Sequence, residues 1–436
     1  MTDARVILWG REIGAVSWIA DRDIGVFQYA PEFARSGIEV APLMMPLREA
    51  PYEFPALPRD AFKGLPGLVA DSLPDKFGNA VIDAWLAGQG RTPESFNPVE
   101  RLCYIGARGM GALEFEPAIL GSPTRSKKLE VAALVDLANR VLSDRHALAG
   151  NLEGSDDAKA IEDIIRVGTS AGGARAKAIL AWNETTGEFR SGQIPADDGF
   201  TYWLMKFDGV AGNKDRELAD PQGFGLIEYA YYLMAKDAGL NMMECRLHRE
   251  GGRAHFMTKR FDRLDAGEKL HMQSLAAMMH FDFNQPDAYS CEQALLTMRR
   301  LRLPMADIEQ QFRRAVFNVI ARNHDDHVKN IAYLMNKNGD WRLSPAFDIA
   351  YSYNPSGAWT SRHQMSLNGK RDGFTIDDLI ALAESGAIKP AKARRIVEEV
   401  AAAVGKWSDF AATAGVDDKT RDRIGAAHRR VGAMRA

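Results

Sequence analysis

The stretch that decides the reading is Asn323-His324-Asp325-Asp326-His327-Val328-Lys329-Asn330, set directly after the apolar helical run Phe312–Ile320. Every residue in it except Val328 is Asp, His, Asn or Lys. Packing does not ask for that composition at a helix end. Phosphoryl transfer does: it needs one carboxylate to accept or orient a hydroxyl proton and one amide oxygen to hold a divalent cation.

Four residues separate Asp325 from Asn330, the Asp-x-x-x-x-Asn spacing by which kinase catalytic loops place these two roles. Such a spacing is common by chance, and the downstream sequence sharpens it. Ile331–Met335 reads as a strand, Asn336-Lys337-Asn338-Gly339-Asp340 as a turn with an Asn-Gly pair, and Trp341–Ser344 as a second strand. That predicted hairpin delivers Ser344-Pro345-Ala346-Phe347-Asp348-Ile349, and Asp348 is the candidate for the second metal-binding carboxylate. Taken singly, Asp348 fits an exposed polar alternation equally well. The ordered set of Asp325, Asn330, hairpin and Asp348 fits it poorly.

Working upstream, Val167-Gly168-Thr169-Ser170-Ala171-Gly172-Gly173-Ala174 is a small-residue loop whose amides can approach a phosphate closely. It is not a Walker A loop, because Ala178, not Ser or Thr, follows Lys177. Judged alone, the loop is equally a plain turn. Lys206 sits inside the apolar strand Trp203-Leu204-Met205-Lys206-Phe207. There a lysine needs an anion, such as ATP phosphates or Glu228, unless it snorkels from an edge strand.

The remaining sequence sets the frame. Its 436 residues are enough for two or three domains, and 46% apolar with 26% charged residues is ordinary for a globular chain. Fifty-five Lys and Arg against 58 Asp and Glu give a net charge of −3, so no global field favours nucleic acid. Arg421, Arg423, Arg429, Arg430 and Arg435 cluster in the tail, a run expected to be a solvated helix face. Cys103, Cys245 and Cys291 are widely spaced, which argues for free thiols rather than disulfides or a thiolate zinc site. The opening MTDARVILWGREIGAVSWIA has no signal-peptide pattern and no apolar run spans a bilayer, so a cytoplasmic chain without membrane contact is expected.

Strands are expected at Val6–Trp9, Ala15–Ile19, Ile24–Tyr29, Ile38–Leu43 and Ala112–Phe115, with helices at Lys76–Leu86 and Arg101–Ile105. Further strands follow at Ala178–Trp182, Tyr202–Phe207 and His255–Lys259, around helices Leu129–Leu142 and Leu226–Ala238. Gly121–Lys128 reads as a linker and Ala149–Asp157 as a loop. Beyond Cys291 the pattern is helical, at Glu292–Leu301, Ala306–Arg322, Ile376–Glu384, Ala391–Val404 and Lys419–Ala433. Strands first and helices later predict a two-lobed α+β body, and the Asp325, Asn330 and Asp348 set makes the expected fold protein-kinase-like. We divide it into a small β-rich α/β module over residues 1–120, an ATP-binding lobe over 121–265 and a helical lobe over 266–436. In this arrangement magnesium-ATP sits between the lysine strand with its glycine loop and the Asp325–Asn330–Asp348 cluster.

Together these pieces resemble the HipA family of toxin kinases. The resemblance rests on Ser170-Ala171-Gly172-Gly173-Ala174-Arg175-Ala176-Lys177, Lys206, Lys259-Arg260-Phe261-Asp262-Arg263, Asn323–Asn330 and Leu343–Ile349. In the first module it rests on Asp71-Ser72-Leu73-Pro74-Asp75 and Gly106-Ala107-Arg108-Gly109-Met110-Gly111-Ala112-Leu113. It implies Asp325 as catalytic base, Asn330 and Asp348 as magnesium ligands, and Lys206 on the ATP phosphates. It places Lys259 and Phe261 beside adenine, and adds Ser170, Ala171, Gly172, Gly173, Lys177, His327 and Lys329 to the nucleotide site. Ser170 matches the family's autophosphorylation position, where a phosphate would oppose those of ATP. Asp326 and His324 depart from the family's usual small residues.

The resemblance also implies a type II toxin–antitoxin serine/threonine kinase that modifies a bacterial protein. It further implies a target such as glutamyl-tRNA synthetase, an aminoacyl-tRNA synthetase, with dormancy and persistence as the consequence. A HipB-like helix-turn-helix antitoxin would neutralise the kinase, with DNA contacted indirectly. The rivals are a metal-dependent phosphohydrolase using His324, Asp325, Asp326 and His327 as a metal cluster, an inactive kinase-fold scaffold, and a small-molecule kinase.

Overall fold

A computed structural model describes residues 2–119, 128–143, 175–193, 197–210, 214–215, 218–219, 223–264 and 267–434. The chain divides into two compact units. The first comprises Met1–Gln222, His248–Met272 and Met335–Gly339, and the second Gly223–Leu247, Gln273–Leu334 and Asp340–Ala436.

The first unit opens with a four-stranded antiparallel sheet in the order Ile24–Tyr29, Arg11–Ile19, Thr2–Leu8, Leu113–Glu116. Alternation along these strands buries Val6, Val16 and Phe27. Helix Lys76–Ala87 begins where the Asp75 carboxylate accepts the Gly78 N–H at 2.6 Å. Helix Pro98–Ile105 begins with a reciprocal Asn97–Glu100 capping box. A six-stranded sheet follows, in the order Cys245–Glu250, Arg253–Lys259, Thr201–Lys206, Lys177–Trp182, Phe189–Ser191, Lys128–Leu129. One face supplies Leu180, Trp203 and Met205 to a core shared with Phe77 and Val81 of helix Lys76–Ala87 and Val135 of helix Val131–Ser143. The two-residue period that buries Trp203 and Met205 leaves Leu204 and Lys206 only half-buried. Register sets Lys206 opposite Phe256 on one side and Lys177 on the other.

The second unit is mainly helical. Helix Met305–Ile320 buries Phe312, Val316, Phe317 and Ile320 and packs against helices Cys291–Arg300, Ile376–Ser385 and Pro390–Val404. The expected hairpin is present as strands Ala332–Met335 and Trp341–Leu343, neighbours in a three-stranded sheet completed by His271–Ser274. Gly339 takes the positive φ of 86° that its turn requires.

The mixed α+β architecture expected from the sequence is the one observed. Two elements differ. Residues 38–43 form no strand. Val40 and Ala41 are buried, but the Val40 carbonyl accepts the His271 Nε2–H at 3.0 Å and the Glu39 carboxylate accepts the Leu47 N–H at 3.0 Å. These polar groups are satisfied by a distant side chain and by a bond within the loop, not along a ladder. The last helix runs Asp418–Ala427 rather than to Ala433, and His428 leaves it in an extended conformation. A strand, Cys245–Glu250, and a helix, Trp407–Ala414, were not expected. The expected loop Ala149–Asp157 and all of the expected linker except Lys128 lie outside the described residues. Cys103, Cys245 and Cys291 are buried, and none of them is in a disulfide. No helix among the described residues is long and apolar enough to cross a membrane.

Candidate active site

In the second unit, helix Met305–Ile320 stops at Ala321, and Arg322 turns the chain in the left-handed region at φ 59°. Each of the next four residues is held by the stretch Ser352–Gln364. Ser352 Oγ accepts the Asp325 N–H at 3.0 Å and donates to Asn323 Oδ1 at 2.9 Å. His324 Nδ1 bonds the Thr360 carbonyl at 3.0 Å. The Trp359 indole N–H donates to Asp325 Oδ1 at 2.8 Å. Asp326 Oδ2 meets His363 Nδ1 at 2.8 Å, and its Oδ1 accepts the Gln364 N–H at 2.8 Å.

These bonds distinguish the adjacent carboxylates. Asp325 keeps 22% of its side chain exposed, while Asp326 keeps 9% with both oxygens engaged inside the protein. His324 is fully buried. Desolvation holds its imidazole far below the ordinary range, reinforced by His363, Arg429 and Arg322. Of the four clustered acids and histidines, Asp325 is therefore suited to meet an external hydroxyl. His327 Nε2 lies 3.9 Å from Asp325 Oδ1, and the Lys329 ammonium lies over the Phe283 ring at 4.8 Å.

Asn330 Nδ2 donates to the Asp325 carbonyl at 2.9 Å, which fixes the amide's orientation and assigns its Oδ1 the acceptor role. Asp348 adopts φ 52°, a backbone conformation that costs about 1 kcal/mol or more and persists where surroundings impose it. Asn323 Nδ2 reaches its carbonyl at 3.4 Å. Asn330 and Asp348 line one cavity with Asn323, Asp326 and His327. One amide oxygen and one carboxylate are the hard donors that magnesium takes when substrate phosphates and water complete its shell. No group of three or more His, Cys, Asp or Glu residues able to hold a metal occurs among the described residues. His324, Asp325, Asp326 and His327 do not converge as a chelate, because two of them turn inward to Thr360 and His363.

In the first unit, Lys206 is half-buried at the end of its strand, its ammonium 5.8 Å from the Phe256 ring centroid. Lys177 is 3% exposed and pairs with Asp75 at 3.2 Å. Lys259 ends its strand opposite Trp203, and the next amide, of Arg260, donates to the Tyr202 carbonyl at 2.8 Å. Phe261 follows directly. Ser170, Ala171, Gly172 and Gly173 lie outside the described residues.

Beyond Phe261 the fully buried Asp262 accepts from Arg260 Nε at 2.8 Å, Arg263 Nη1 at 2.8 Å and the Gly111 N–H at 2.7 Å. Arg263 also donates to the Gly109 and Gly111 carbonyls at 3.2 and 3.0 Å. Burial alone would raise the Asp262 carboxyl, but Arg260 and Arg263 outweigh it and hold the group well below the usual range. Gly111 sits at φ 74°, where an added Cβ would lie 3.1 Å from the Met272 nitrogen. The motifs Lys259–Arg263 and Gly106–Leu113 are thus two halves of one contact.

Two family models match the chain, the HipA N-terminal domain over residues 4–116 and the HipA-like C-terminal domain over residues 169–407. The chain belongs to the HipA-like family. No curated protein matches it. Among solved structures, HipA of a Shewanella oneidensis MR-1 toxin–antitoxin system, solved with HipB and its operator DNA, is similar at TM-score 0.65 and 16% identity. The match covers 97% of this chain and 94% of that one, and it shows that the two share a fold. The kinase-like architecture expected from the sequence accords with this HipA fold.

The sequence reading did not find Ser352, Trp359, His363 or Arg429. For the first three a signal was available: residues 351–364, shortly after Asp348, carry Ser, Asn, Trp, His and Gln without helical or strand period, a pattern that polar contacts elsewhere must organise.

Proposed function

We propose that this HipA-like chain is a magnesium-dependent serine/threonine protein kinase acting as the toxin of a type II toxin–antitoxin system in the bacterial cytoplasm. The observation that carries the proposal is the loop geometry. Asn330 is tied by its amide to the Asp325 carbonyl, Asp325 is the carboxylate left partly exposed, and Asp348 shares a cavity with Asn330.

In this reading Asp325 accepts the proton of the acceptor hydroxyl, and Trp359 holds Oδ1 so that Oδ2 faces the substrate. Asn330 Oδ1 and the Asp348 carboxylate would hold magnesium, which when bound would supply neutralisation of phosphate charge. Lys206 pairs with those phosphates, aided by His327 and Lys329. Lys259 and Phe261 flank adenine. Ser170, Ala171, Gly172 and Gly173 are proposed nucleotide-binding residues, as is Lys177, whose ammonium pairs with Asp75. Autophosphorylation of Ser170 would inhibit by repelling ATP. A HipB-like antitoxin is the proposed partner, with DNA contacted through it, since the similar Shewanella protein was solved in such a complex. The proposed substrate is a bacterial protein of the aminoacyl-tRNA synthetase class.

The test is incubation with γ-labelled ATP and magnesium, alone and with bacterial lysate, beside Asp325→Asn. Label on Ser170 and on a lysate protein, lost in the variant, is expected. Phosphate release from phosphoesters without labelling would favour a hydrolase. ATP binding with neither activity would favour a scaffold.

A further inference from the structure

The C-terminal tail and Asp326 have no part in the chemistry above, yet the structure joins them. Arg429 has 8% of its side chain exposed. Its backbone N–H donates to the Ile320 carbonyl at 2.9 Å, and its Nη1 donates to the Val319 carbonyl. These carbonyls belong to the last turn of the helix that launches the catalytic loop, where acceptors lack helical partners and a cation is favoured. The same Nη1 lies 3.0 Å from His363 Nε2, and Nη2 pairs with Asp372. A guanidinium only donates, so His363 Nε2 accepts and the ring proton sits on Nδ1. That proton points at Asp326 Oδ2, 2.8 Å away. His363 is 1% exposed and lies against His324, with ring centroids 4.1 Å apart and planes tilted by 37°.

We infer that Arg429 is a positioning residue for Asp325, acting through His363 and Asp326 to fix the catalytic loop against the end of its own helix. The inference rests on the kinase reading for its effect on rate, and on hydrogen bonds alone for its effect on the loop. Arg429 grips the last helical turn and, through one histidine of defined tautomer, the residue next to the proposed base. Both ends of the short span 321–325 are therefore tied to one guanidinium. An exposed neighbour, Arg430, has no such bonds among those described and serves as a control.

The experiment compares wild type with Arg429→Met, His363→Phe, the double variant and Arg430→Met. It measures phosphoryl transfer and amide hydrogen exchange over residues 323–330. Arg429→Met and His363→Phe should each lower kcat about 10- to 100-fold while KM for ATP stays within about twofold, the signature of a misplaced group. The double variant should be no worse than the poorer single variant, since both break one chain. Exchange over 323–330 should quicken in these variants and not in Arg430→Met. Multiplying losses in the double variant, or unchanged loop exchange in either single variant, would overturn the inference. If Arg429→Met does not fold, His363→Phe alone decides it by the same two readouts. If wild type transfers no phosphate, the kinase reading fails, and loop exchange still decides whether Arg429 fixes the loop.

Discussion

Asp325 and Asp326 are neighbours in sequence with opposite surroundings: one carboxylate is partly open, the other bonded twice inside the protein. Asp325→Asn should therefore abolish transfer at unchanged melting temperature. Trp359→Phe keeps the ring and removes the N–H that orients Oδ1, so kcat should fall about tenfold with little change in ATP binding. Steady-state kinetics on both variants check this, and a Trp359→Phe enzyme with full kcat would remove the indole from the account. The spacing of Asp325, Asn330 and Asp348 was legible in the sequence because these residues are local to one loop and one hairpin. The role of Asp326 was not legible. Its partner His363 lies far along the chain and looks like an isolated histidine until folding brings it back.

At the scale of elements, the strands and helices with clear period fell where residue pattern put them, as with Ile24–Tyr29 and Pro390–Val404. Pattern failed where polar partners took over, at the loop of Val40 and at the tail that leaves its helix at His428 so that Arg429 reaches Ile320. The contact of Asp262 with Arg260, Arg263 and Gly111 also joins stretches distant in sequence. Removing one member of such a buried ionic set leaves uncompensated charge, which costs roughly 3 kcal/mol or more. Asp262→Ala should lower stability by about that amount in urea denaturation. A loss below about 1 kcal/mol would mean that the arginines find water or other partners.

Across the whole molecule, His255, His271, His280 and His428 are each pushed from 6.5 to about 4, chiefly by burial. A depressed histidine binds its proton more weakly in the folded state than in the unfolded one, so its stabilising share is complete above 6.5 and declines as pH falls toward 4. The melting temperature should drop steadily between pH about 6.5 and about 4, and His428→Gln should flatten part of that slope. A melting temperature constant over this range would contradict the burial of these rings.

The proposed chemistry is tested most directly by a crystal structure of the full chain with magnesium and a non-hydrolysable ATP analogue. Magnesium should lie on Asn330 Oδ1 and the Asp348 carboxylate, Lys206 on the phosphates, and the γ-phosphate should turn toward Asp325. An analogue bound with its phosphates away from Asp325, Asn330 and Asp348 would contradict it.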